Sequence, residues 1–390
     1  MLRYYTAGES HGEALVAFLS GIPAGLSIDQ AFLDHELWRR QQGYGRGGRM
    51  KIETDRAHIL SGVRHGITIG SPISVLLENK DWKNWQESLP IGDGDPAKHK
   101  PVKSPRPGHA DLAGALKYNF PEARYILERA SARESAARVA IGAIAKLFLS
   151  QLGIQVLSHV TTVGSASLAD IEVPWEKIIP LSQRDEILLS CADTETEQKM
   201  KEEVDKALRT GDSVGGIFEV VAHGVPPGLG TYAQWDERLD GLLAGAVMSL
   251  QAVKAVEIGV GVSAASSPGS AVHDEIGYEG KAHTGFSRRS NHAGGIEGGI
   301  SNGEEIRVRG YLKPISTLRR PLQSVDFATR EPVKAAYERS DVCVVPAAGV
   351  AAEAMVALTL TRCALEKFGG DSMGETLRNY EGYCQQIKNF

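Results

Sequence analysis

The 390-residue sequence has little cysteine, few aromatic residues and no strong excess of charge of one sign. Its four cysteines form neither a CxxC pair nor the spacing of zinc ligands, so a disulfide scaffold and a zinc-ribbon protein are excluded. Aromatic residues make up only 6%, so alanine, valine, isoleucine and leucine must fill the core. The net charge of −5 argues against general attraction to nucleic acid or to an acidic membrane surface.

Long hydrophobic runs are also missing. Glycine, arginine or glutamate interrupts every apolar stretch well short of the ~20 residues that a membrane span needs. The N-terminal segment MLRYYTAGESHG has no apolar core of signal-peptide length, so we expect a cytoplasmic protein without a membrane partner. Hydrophobic residues at 42% and charged residues at 23% are typical of a globular chain. No linker of Ser/Gly or charged composition divides it, so residues 1–390 are expected to form a single domain.

Glycine, by contrast, is abundant, with 43 residues that predict many tight turns and close backbone approaches. Some of these glycines belong to an internal repeat. Three pairs of segments recur in the same order: GIPAGL (21–26) with GVPPGL (224–229), residues 62–80 with 295–313, and Glu128-Arg129 with Glu338-Arg339. We predict two copies of one unit, at about 1–153 and 215–369, with a variable insert at 154–214 on the outside. Chance similarity between glycine-rich turns is the alternative.

Each predicted unit contains a strand, a helix, an antiparallel meander and a helix of small residues. Residues 62–77 alternate, are rich in β-branched side chains and contain turn residues. The alanine-rich helices near 132–150 and 348–368 are apolar on most sides, which indicates burial on several faces. We therefore predict an α+β fold, a pseudo-twofold sandwich of antiparallel β-sheets around central α-helices.

The densest charge cluster lies between residues 38 and 56, where six cationic side chains and two acidic ones alternate with glycines. Glycine lets the backbone approach a ligand and arginine grips phosphate or carboxylate with two donors, so the cluster predicts an anion site. The GxGxxG pattern at 43–48 follows a predicted helix and precedes a predicted strand, which excludes a dinucleotide-binding fingerprint. A solvated basic loop without a ligand is the alternative. An RNA-binding loop is another, although few aromatic residues accompany the arginines.

Two histidines lie in glycine-flanked loops. His11 follows Ser10 in GESHG, and His109 lies in RPGHAD, where Asp111 two residues on would hold its ring. Beside an anion site, two such histidines suggest proton transfer during phosphate chemistry, with loop histidines of no catalytic role as the alternative. No HExxH or similar cluster occurs, so we expect no metal site.

Taken together, these motifs resemble one family, the chorismate synthases. The matching segments are GESHG (8–12), GIPAGL (21–26), RRQQGYGRGGRM (39–50), SGVRHGITIGSPI (61–73), RPGHADLAGALKY (106–118), ERASARESAARVAIGAIAK (128–146), NHAGGIEGGISNG (291–303), KPIST (313–317) and RSDVCVVPAAGVAAEA (339–354). The resemblance runs from end to end apart from 154–214 and parts of 80–105.

The resemblance implies an enzyme that converts 5-enolpyruvylshikimate-3-phosphate to chorismate, the last common step toward the aromatic amino acids. It implies a trans-1,4 elimination of phosphate that requires reduced FMN without net redox change, and a homotetramer. Ser10 and His11 would act at the departing phosphate, His109 near the flavin N1 region and Asp341 near N5. The residues implied for substrate binding are Arg40, Arg46 and Arg49.

The same resemblance implies a set of FMN-binding residues from both repeats. They are Arg129, Ala130, Ser131, Gln251, Ala252, Gly298, Lys313, Pro314, Ile315, Ser316, Thr317 and Arg339. Some members of the family reduce their own flavin, and Arg40 and Arg46 are linked there with nicotinamide binding. NADPH is therefore a candidate source of reducing equivalents, and an NAD(P)H-dependent flavin reductase is the alternative function.

Overall fold

The computed structural model describes residues 1–47, 53–169, 172–278, 284–338 and 341–390. The strands are β1 (Arg3–Ala7), β2 (Ala14–Ser20), β3 (His58–Ser61), β4 (Val63–Arg64), β5 (Ile67–Thr68), β6 (Ile73–Glu78), β7 (Gln155–Val163), β8 (Ala166–Ser167), β9 (Gly216–His223), β10 (Val253–Ile258), β11 (Ile276–Tyr278), β12 (Phe286–Arg288), β13 (Ile296–Glu297), β14 (Ile300–Ser301), β15 (Ile306–Leu312), β16 (Gln323–Val325) and β17 (Pro332–Lys334). The helices are α1 (Gln30–Gln41), α2 (Asp111–Tyr118), α3 (Arg124–Ala130), α4 (Ser135–Ser150), α5 (Trp175–Ser182), α6 (Thr194–Thr210), α7 (Leu239–Met248), α8 (Gly261–Ala264), α9 (Gly269–Val272), α10 (Val345–Phe368) and α11 (Met373–Lys388).

Two antiparallel sheets share one strand order. In the first sheet β1, β2, β6 and β3 lie side by side, and in the second β7, β9, β15 and β10 do, with β8 added beyond β7. The chain reaches both sheets in the same way, because α1 follows β2 as α7 follows β9. The hairpins β4–β5 and β13–β14 likewise precede β6 and β15. A duplicated unit would produce this arrangement.

The helices α4 and α10 lie between the two sheets. α4 packs against β2 and β6, α10 packs against β7 and β9, and the two helices pack against each other. Small side chains allow this approach, since a Cβ added at Gly142 in α4 would overlap the side chain of Ala354 in α10. The predicted α+β class with antiparallel sheets around central helices is confirmed.

The central helix α10 is also long and apolar enough to cross a membrane by length and composition alone. Within the fold, 83% of its most apolar window is buried. That burial is typical of the core helix of a globular protein, in which apolar residues surround the helix on several sides.

The second sheet begins inside the predicted insert, which corrects one expectation. Strand β7 pairs with β9 along its length and buries Val156, Val160 and Val163. The expectation that residues 154–214 lie wholly outside is therefore wrong for Gln155–Val163, because this strand completes the sheet and contributes to the core. Further along the insert, Trp175 in α5 packs in a separate apolar cluster with Val221 of β9, so this helix covers the second sheet.

Candidate functional site

One cavity gathers most of the predicted site residues. Its volume is about 940 Å³, and the loop between β1 and β2, the end of α1 and the beginnings of α4 and α10 meet there. The predicted residues that line it are Ser10, His11, Arg40, Arg46, His109, Ala130, Ser131, Gln251, Ala252, Lys313, Ile315, Ser316, Thr317 and Asp341. They come from both halves of the chain, and the fold brings them together at the ends of the central helices.

Three predicted FMN-binding residues lie away from the cavity wall. The exposed guanidinium of Arg129 donates hydrogen bonds to the carbonyl oxygens of Gly8 and Thr6 at 3.0 and 2.9 Å. Gly298 lies in the turn between β13 and β14 with a φ of +59°, and Pro314 sits among cavity residues without lining the cavity. That these three residues bind the flavin stays a prediction. Two further predicted residues, Arg49 and Arg339, lie outside the described residues.

His11 is held along its edge and on its face. Its Nδ1 lies 2.9 Å from Oε1 of Glu128, and Oε2 of that carboxylate accepts the backbone N–H of His11 at 2.7 Å. The ring of Trp85 stacks on the imidazole with centroids 4.1 Å apart. Burial raises the pKa of Glu128, but the hydrogen bonds and charge of His11, together with Arg124, outweigh burial and hold that pKa below its ordinary value. The carboxylate is therefore ionised at neutral pH.

His109 also has a carboxylate at Nδ1. The distance to Oδ1 of Asp111 is 2.5 Å, so the contact that the sequence spacing predicts is present. Arg106 donates to the same carboxylate from Nε at 2.8 Å and to the hydroxyl of Thr317 from Nη1 at 2.9 Å. Burial raises the pKa of Asp111, but hydrogen bonds from His109 and Arg106 lower it far below its ordinary value. Arg106 thus ties the His109 pair to the segment that follows β15.

Two buried arginines share one carboxylate behind the cavity. Asp55 accepts from Nη2 of Arg40 at 2.9 Å and from Nη1 of Arg133 at 2.7 Å, and Glu53 lies 3.8 Å from Arg133. Burial lowers the pKa of Arg40 to about 10; Asp55 opposes this shift, and the positive charges of Arg133 and Arg46 add to it. Both guanidinium groups line the cavity, and that of Arg40 remains charged at neutral pH.

The segment before α10 adds a carboxylate to the wall. Oδ2 of Asp341 lies 3.1 Å from Nη1 of Arg46, and its Oδ1 accepts the backbone N–H of Gly47 at 2.5 Å. The glycine-rich loop and the beginning of α10 are thereby joined at the cavity. On another side, the hydroxyl of Ser10 contacts that of Ser131 at 3.2 Å.

Cations face the cavity, and most of the carboxylates that hold them lie behind it. Among the described residues, six lysine and arginine side chains and three acidic ones line the wall, whereas Asp55, Asp111 and Glu128 do not line it. Apolar side chains form another part of the wall: Leu127, Leu250, Val344, Ala347 and Ala351. Such a cavity suits an anionic ligand together with a flat apolar one, and its size is at the upper end of the ~300–1,000 Å³ usual for ligand sites. Among the described residues, no three His, Cys, Asp or Glu side chains form a group that could hold a metal ion.

Known proteins identify the family. The sequence model of the family described as Chorismate synthase matches residues 2–365. The chorismate synthase of Koribacter versatilis is 76% identical and that of Acidobacterium capsulatum 68% identical, each over the whole of both chains. The chain belongs to the chorismate synthase family. A solved structure titled "Crystal Structure of Chorismate Synthase" is 42% identical, covers 100% of this chain and 99% of that one, and superimposes with a TM-score of 0.79.

As a member of the chorismate synthase family, a family of lyases, the chain carries site residues that sequence reasoning did not single out. Glu128 belongs to the repeat and begins a matching segment, but neither pattern predicts its contact with His11. Arg133 lies in a matching segment and lines the cavity, and Trp85 lies in a stretch where the resemblance is weak. The excess of cations between residues 38 and 56 could have drawn attention to Asp55 as their counter-ion.

Proposed function

We propose that this protein converts 5-enolpyruvylshikimate-3-phosphate to chorismate by trans-1,4 elimination of phosphate with reduced FMN and without net redox change. One observation carries the proposal: two histidines, each held by a buried carboxylate, line one cation-rich cavity. The cations suit an anionic substrate, and the histidines suit the proton movements of an elimination. Membership of the chorismate synthase family supports the same substrate class.

The residues of the cavity fit a flavin mononucleotide. The apolar wall can contact a ring system, and Lys313 can approach a phosphate or a ring oxygen. The Nε atom of Arg40 is buried without a hydrogen-bond partner among the described residues, so it offers a donor to an anion. Gln251, Ala252 and Lys313–Thr317 would hold the flavin on one side, and Ala130 and Ser131 on another. When bound, reduced FMN would supply electron density to the substrate and recover it.

The protein's own residues would stabilise the charge that grows on the departing phosphate. Arg40, Arg46 and Arg133 approach the cavity from the α1 end, where negative charge on a leaving group would meet fixed cations. Fixed donors of this kind need no reorganisation as the charge forms, so they stabilise the transition state more than water does. His11 would give a proton or a hydrogen bond to the phosphate oxygen, with Ser10 beside it.

His109 and Asp341 would serve the flavin side. His109, fixed by Asp111, would donate a hydrogen bond near flavin N1, and Asp341 would help to move the C6 proton near N5. Asp341 is held by Arg46 and by the backbone of Gly47, so its oxygen atoms have a defined direction. Positioned proton transfer of this kind typically contributes ~10²–10⁴ in rate.

The test is anaerobic. Purified protein is mixed with chemically reduced FMN and 5-enolpyruvylshikimate-3-phosphate, and chorismate, phosphate and flavin absorbance are followed together. We expect chorismate and phosphate in equal amounts, no product with oxidised FMN, and no net oxidation of the flavin. Flavin that binds without any product would contradict the proposed reaction.

The use of NADPH and the contribution of both repeats stay predictions with their own tests. Anaerobic oxidation of NADPH by the purified protein with FMN would support flavin reduction by the chain itself.

Arg129→Ala and Arg339→Ala should each weaken FMN binding if both halves contribute to the site. Unchanged FMN affinity in both variants would contradict that contribution.

The homotetramer and the cytoplasmic location also remain proposals. One feature supports assembly: Tyr5 and Phe18, directly opposite each other on β1 and β2, are 72% and 49% exposed. The first sheet therefore presents an apolar outer surface that association could cover. Light scattering should give the molar mass of four chains. Phe18→Lys should lower that molar mass if this surface takes part in assembly.

A further inference from the structure

Glu128 is a buried acidic residue that the proposed reaction does not use directly. It lies in α3, its side chain is 2% exposed, and it does not line the cavity. Its carboxylate nevertheless makes three contacts with His11. The ring Nδ1 lies 2.9 Å from Oε1 and 3.1 Å from Oε2, and the backbone N–H donates to Oε2. The contacts with His11 are therefore the shortest route by which this carboxylate can influence the reaction.

The contact decides which ring nitrogen of His11 carries hydrogen. An ionised carboxylate has only acceptor atoms, so Nδ1 of His11 must be the donor. A neutral imidazole that carries hydrogen on Nδ1 can accept a proton only at Nε2. The backbone N–H of His11 is bound to the other oxygen, which fixes the main chain and the ring relative to one carboxylate.

Two neighbours prevent the pair from turning away. Arg124 lies 3.5 Å from Glu128 and donates to Glu338 at 2.9 Å and to the carbonyl of Lys100 at 2.7 Å. Trp85 covers one face of the His11 ring, and the ammonium of Lys100 lies 4.3 Å from the centroid of the same indole. Among the described residues, groups from four segments of the chain therefore hold His11 and Glu128 in place: Trp85, Lys100, Arg124 and Glu338.

We propose that Glu128 is a positioning residue that holds His11 with hydrogen on Nδ1, so that Nε2 is the nitrogen that exchanges a proton with the leaving phosphate. The identity of the proton acceptor, the leaving phosphate, rests on the proposed function. The position of the hydrogen on the His11 ring does not. When protonated His11 gives its Nε2 proton to a phosphate oxygen, the ring returns to the neutral form with hydrogen on Nδ1. It regains the proton from solvent after the product leaves.

The variant Glu128→Gln makes a sharp prediction because an amide has one acceptor and one donor. The fixed backbone N–H of His11 needs the amide oxygen, so the amide NH₂ then faces Nδ1 of the ring. The amide nitrogen then replaces Oε1, the oxygen nearer to Nδ1 at 2.9 Å, whereas Oε2 lies 3.1 Å from it. We therefore expect Nδ1 to accept and the neutral ring to carry its hydrogen on Nε2 instead. The opposite orientation of the amide would bring the NH₂ group against the backbone N–H, which leaves two donors face to face.

The ring state is measured by solid-state NMR of protein containing histidine labelled with ¹⁵N in the ring, with His11→Ala to assign the signal. In its neutral form, wild-type His11 should carry hydrogen on Nδ1, and the Glu128→Gln variant should carry it on Nε2. Hydrogen on Nε2 in the wild type overturns the proposal without any variant. That measurement also stands if Glu128→Gln does not fold.

Kinetics complete the test. In Glu128→Gln we expect kcat to fall at least about tenfold and KM to change less than about threefold, since proton transfer rather than binding is affected. The control is Glu122→Gln, a carboxylate-to-amide change just before α3 whose side chain accepts from Arg124 N–H outside the cavity. It should keep the wild-type kcat. Unchanged kcat in Glu128→Gln overturns the positioning role, whereas absence of chorismate with the wild type contradicts only the proposed reaction.

Discussion

The two histidine–carboxylate pairs look alike but differ in what balances the carboxylate charge. In the His109 pair, Arg106 donates to Asp111 from Nε at 2.8 Å, and its guanidinium is always charged. In the His11 pair, Arg124 lies 3.5 Å from Glu128, and His11 itself makes the shorter contact at 2.9 Å. Asp111 therefore has a permanent counter-ion, whereas the main partner of Glu128 is a group that can lose its charge.

This difference assigns different tasks to similar geometry. A pair whose charge can change is suited to proton exchange with a ligand, which agrees with the proposed action of His11 at the phosphate. A pair held by a permanent cation is suited to a constant hydrogen-bonding direction, which agrees with the proposed place of His109 beside the flavin. We therefore expect the next charged neighbour, together with the contact itself, to determine the role of each histidine.

The largest expected effect separates the two histidines. His11→Ala should lower kcat by about 10²–10⁴ because a positioned proton donor is lost. FMN affinity should remain close to the wild-type value. His109→Ala should lower kcat and also weaken FMN binding, as measured by flavin fluorescence titration. Equal loss of FMN affinity in both variants would contradict the separation of roles.

Replacing Asp111, the carboxylate that pairs with Arg106, should lower the free energy of unfolding more than replacing Glu128. Asp111→Asn leaves Arg106 buried without its carboxylate, and breaking such a pair costs about 3–5 kcal/mol. Glu128→Gln should cost clearly less, since His11 can become neutral. Urea denaturation of both variants measures the two free energies of unfolding. A larger loss for Glu128→Gln would reverse the comparison.

Acid should weaken both pairs in a defined direction. The pKa values of Asp111 and Glu128 are lowered in the folded protein, so their contribution to stability is complete above the unfolded values of about 3.9 and 4.3. It is lost as the pH falls through the folded values, because the unfolded chain binds protons first. The urea midpoint should decrease from about pH 5 to about pH 3, and less steeply in Asp111→Asn than in the wild type. Equal slopes would contradict the lowered pKa of Asp111.

The smallest expected effect comes from removing the aromatic ring that stacks on the face of the His11 imidazole. Trp85→Leu removes a stacked aromatic contact, which is worth about 0.5–1.5 kcal/mol. We expect kcat to fall about two- to tenfold if that energy maintains the ring orientation. Binding of FMN should not change, because Trp85 contacts the His11 side. An equal effect on FMN affinity would show that the two sides are coupled.

Local sequence predicted one pair and not the other. Asp111 is two residues from His109, so the spacing alone was enough to predict their contact. Glu128 is 117 positions from His11, and only the packing of α3 against the loop between β1 and β2 brings them together. The family resemblance supplied fourteen of the residues that line the cavity. It could not show which carboxylates stand behind them, because a resemblance lists positions and not distances.

The repeat was predicted from glycine-rich turns, and the same reasoning explains why Gln155–Val163 was placed in the insert. Turn motifs mark loops well but do not show where the first strand of the second sheet begins. Strand β7 lies well before the repeated GVPPGL turn, because α5 and α6 come between them in the chain. The turn motif therefore left this strand in the insert. Its counterpart by position in the sheet is β1, which lies next to β2 as β7 lies next to β9.

The most direct test of the central claim is a crystal structure of the protein with oxidised FMN and 5-enolpyruvylshikimate-3-phosphate bound together. We expect the substrate phosphate within hydrogen-bond distance of His11 and near Arg40, with the flavin ring beside His109 and the segment Lys313–Thr317. The phosphate against His109 and the flavin against His11 would contradict the assignment of the two pairs. Binding of either ligand outside the cavity would contradict the site itself.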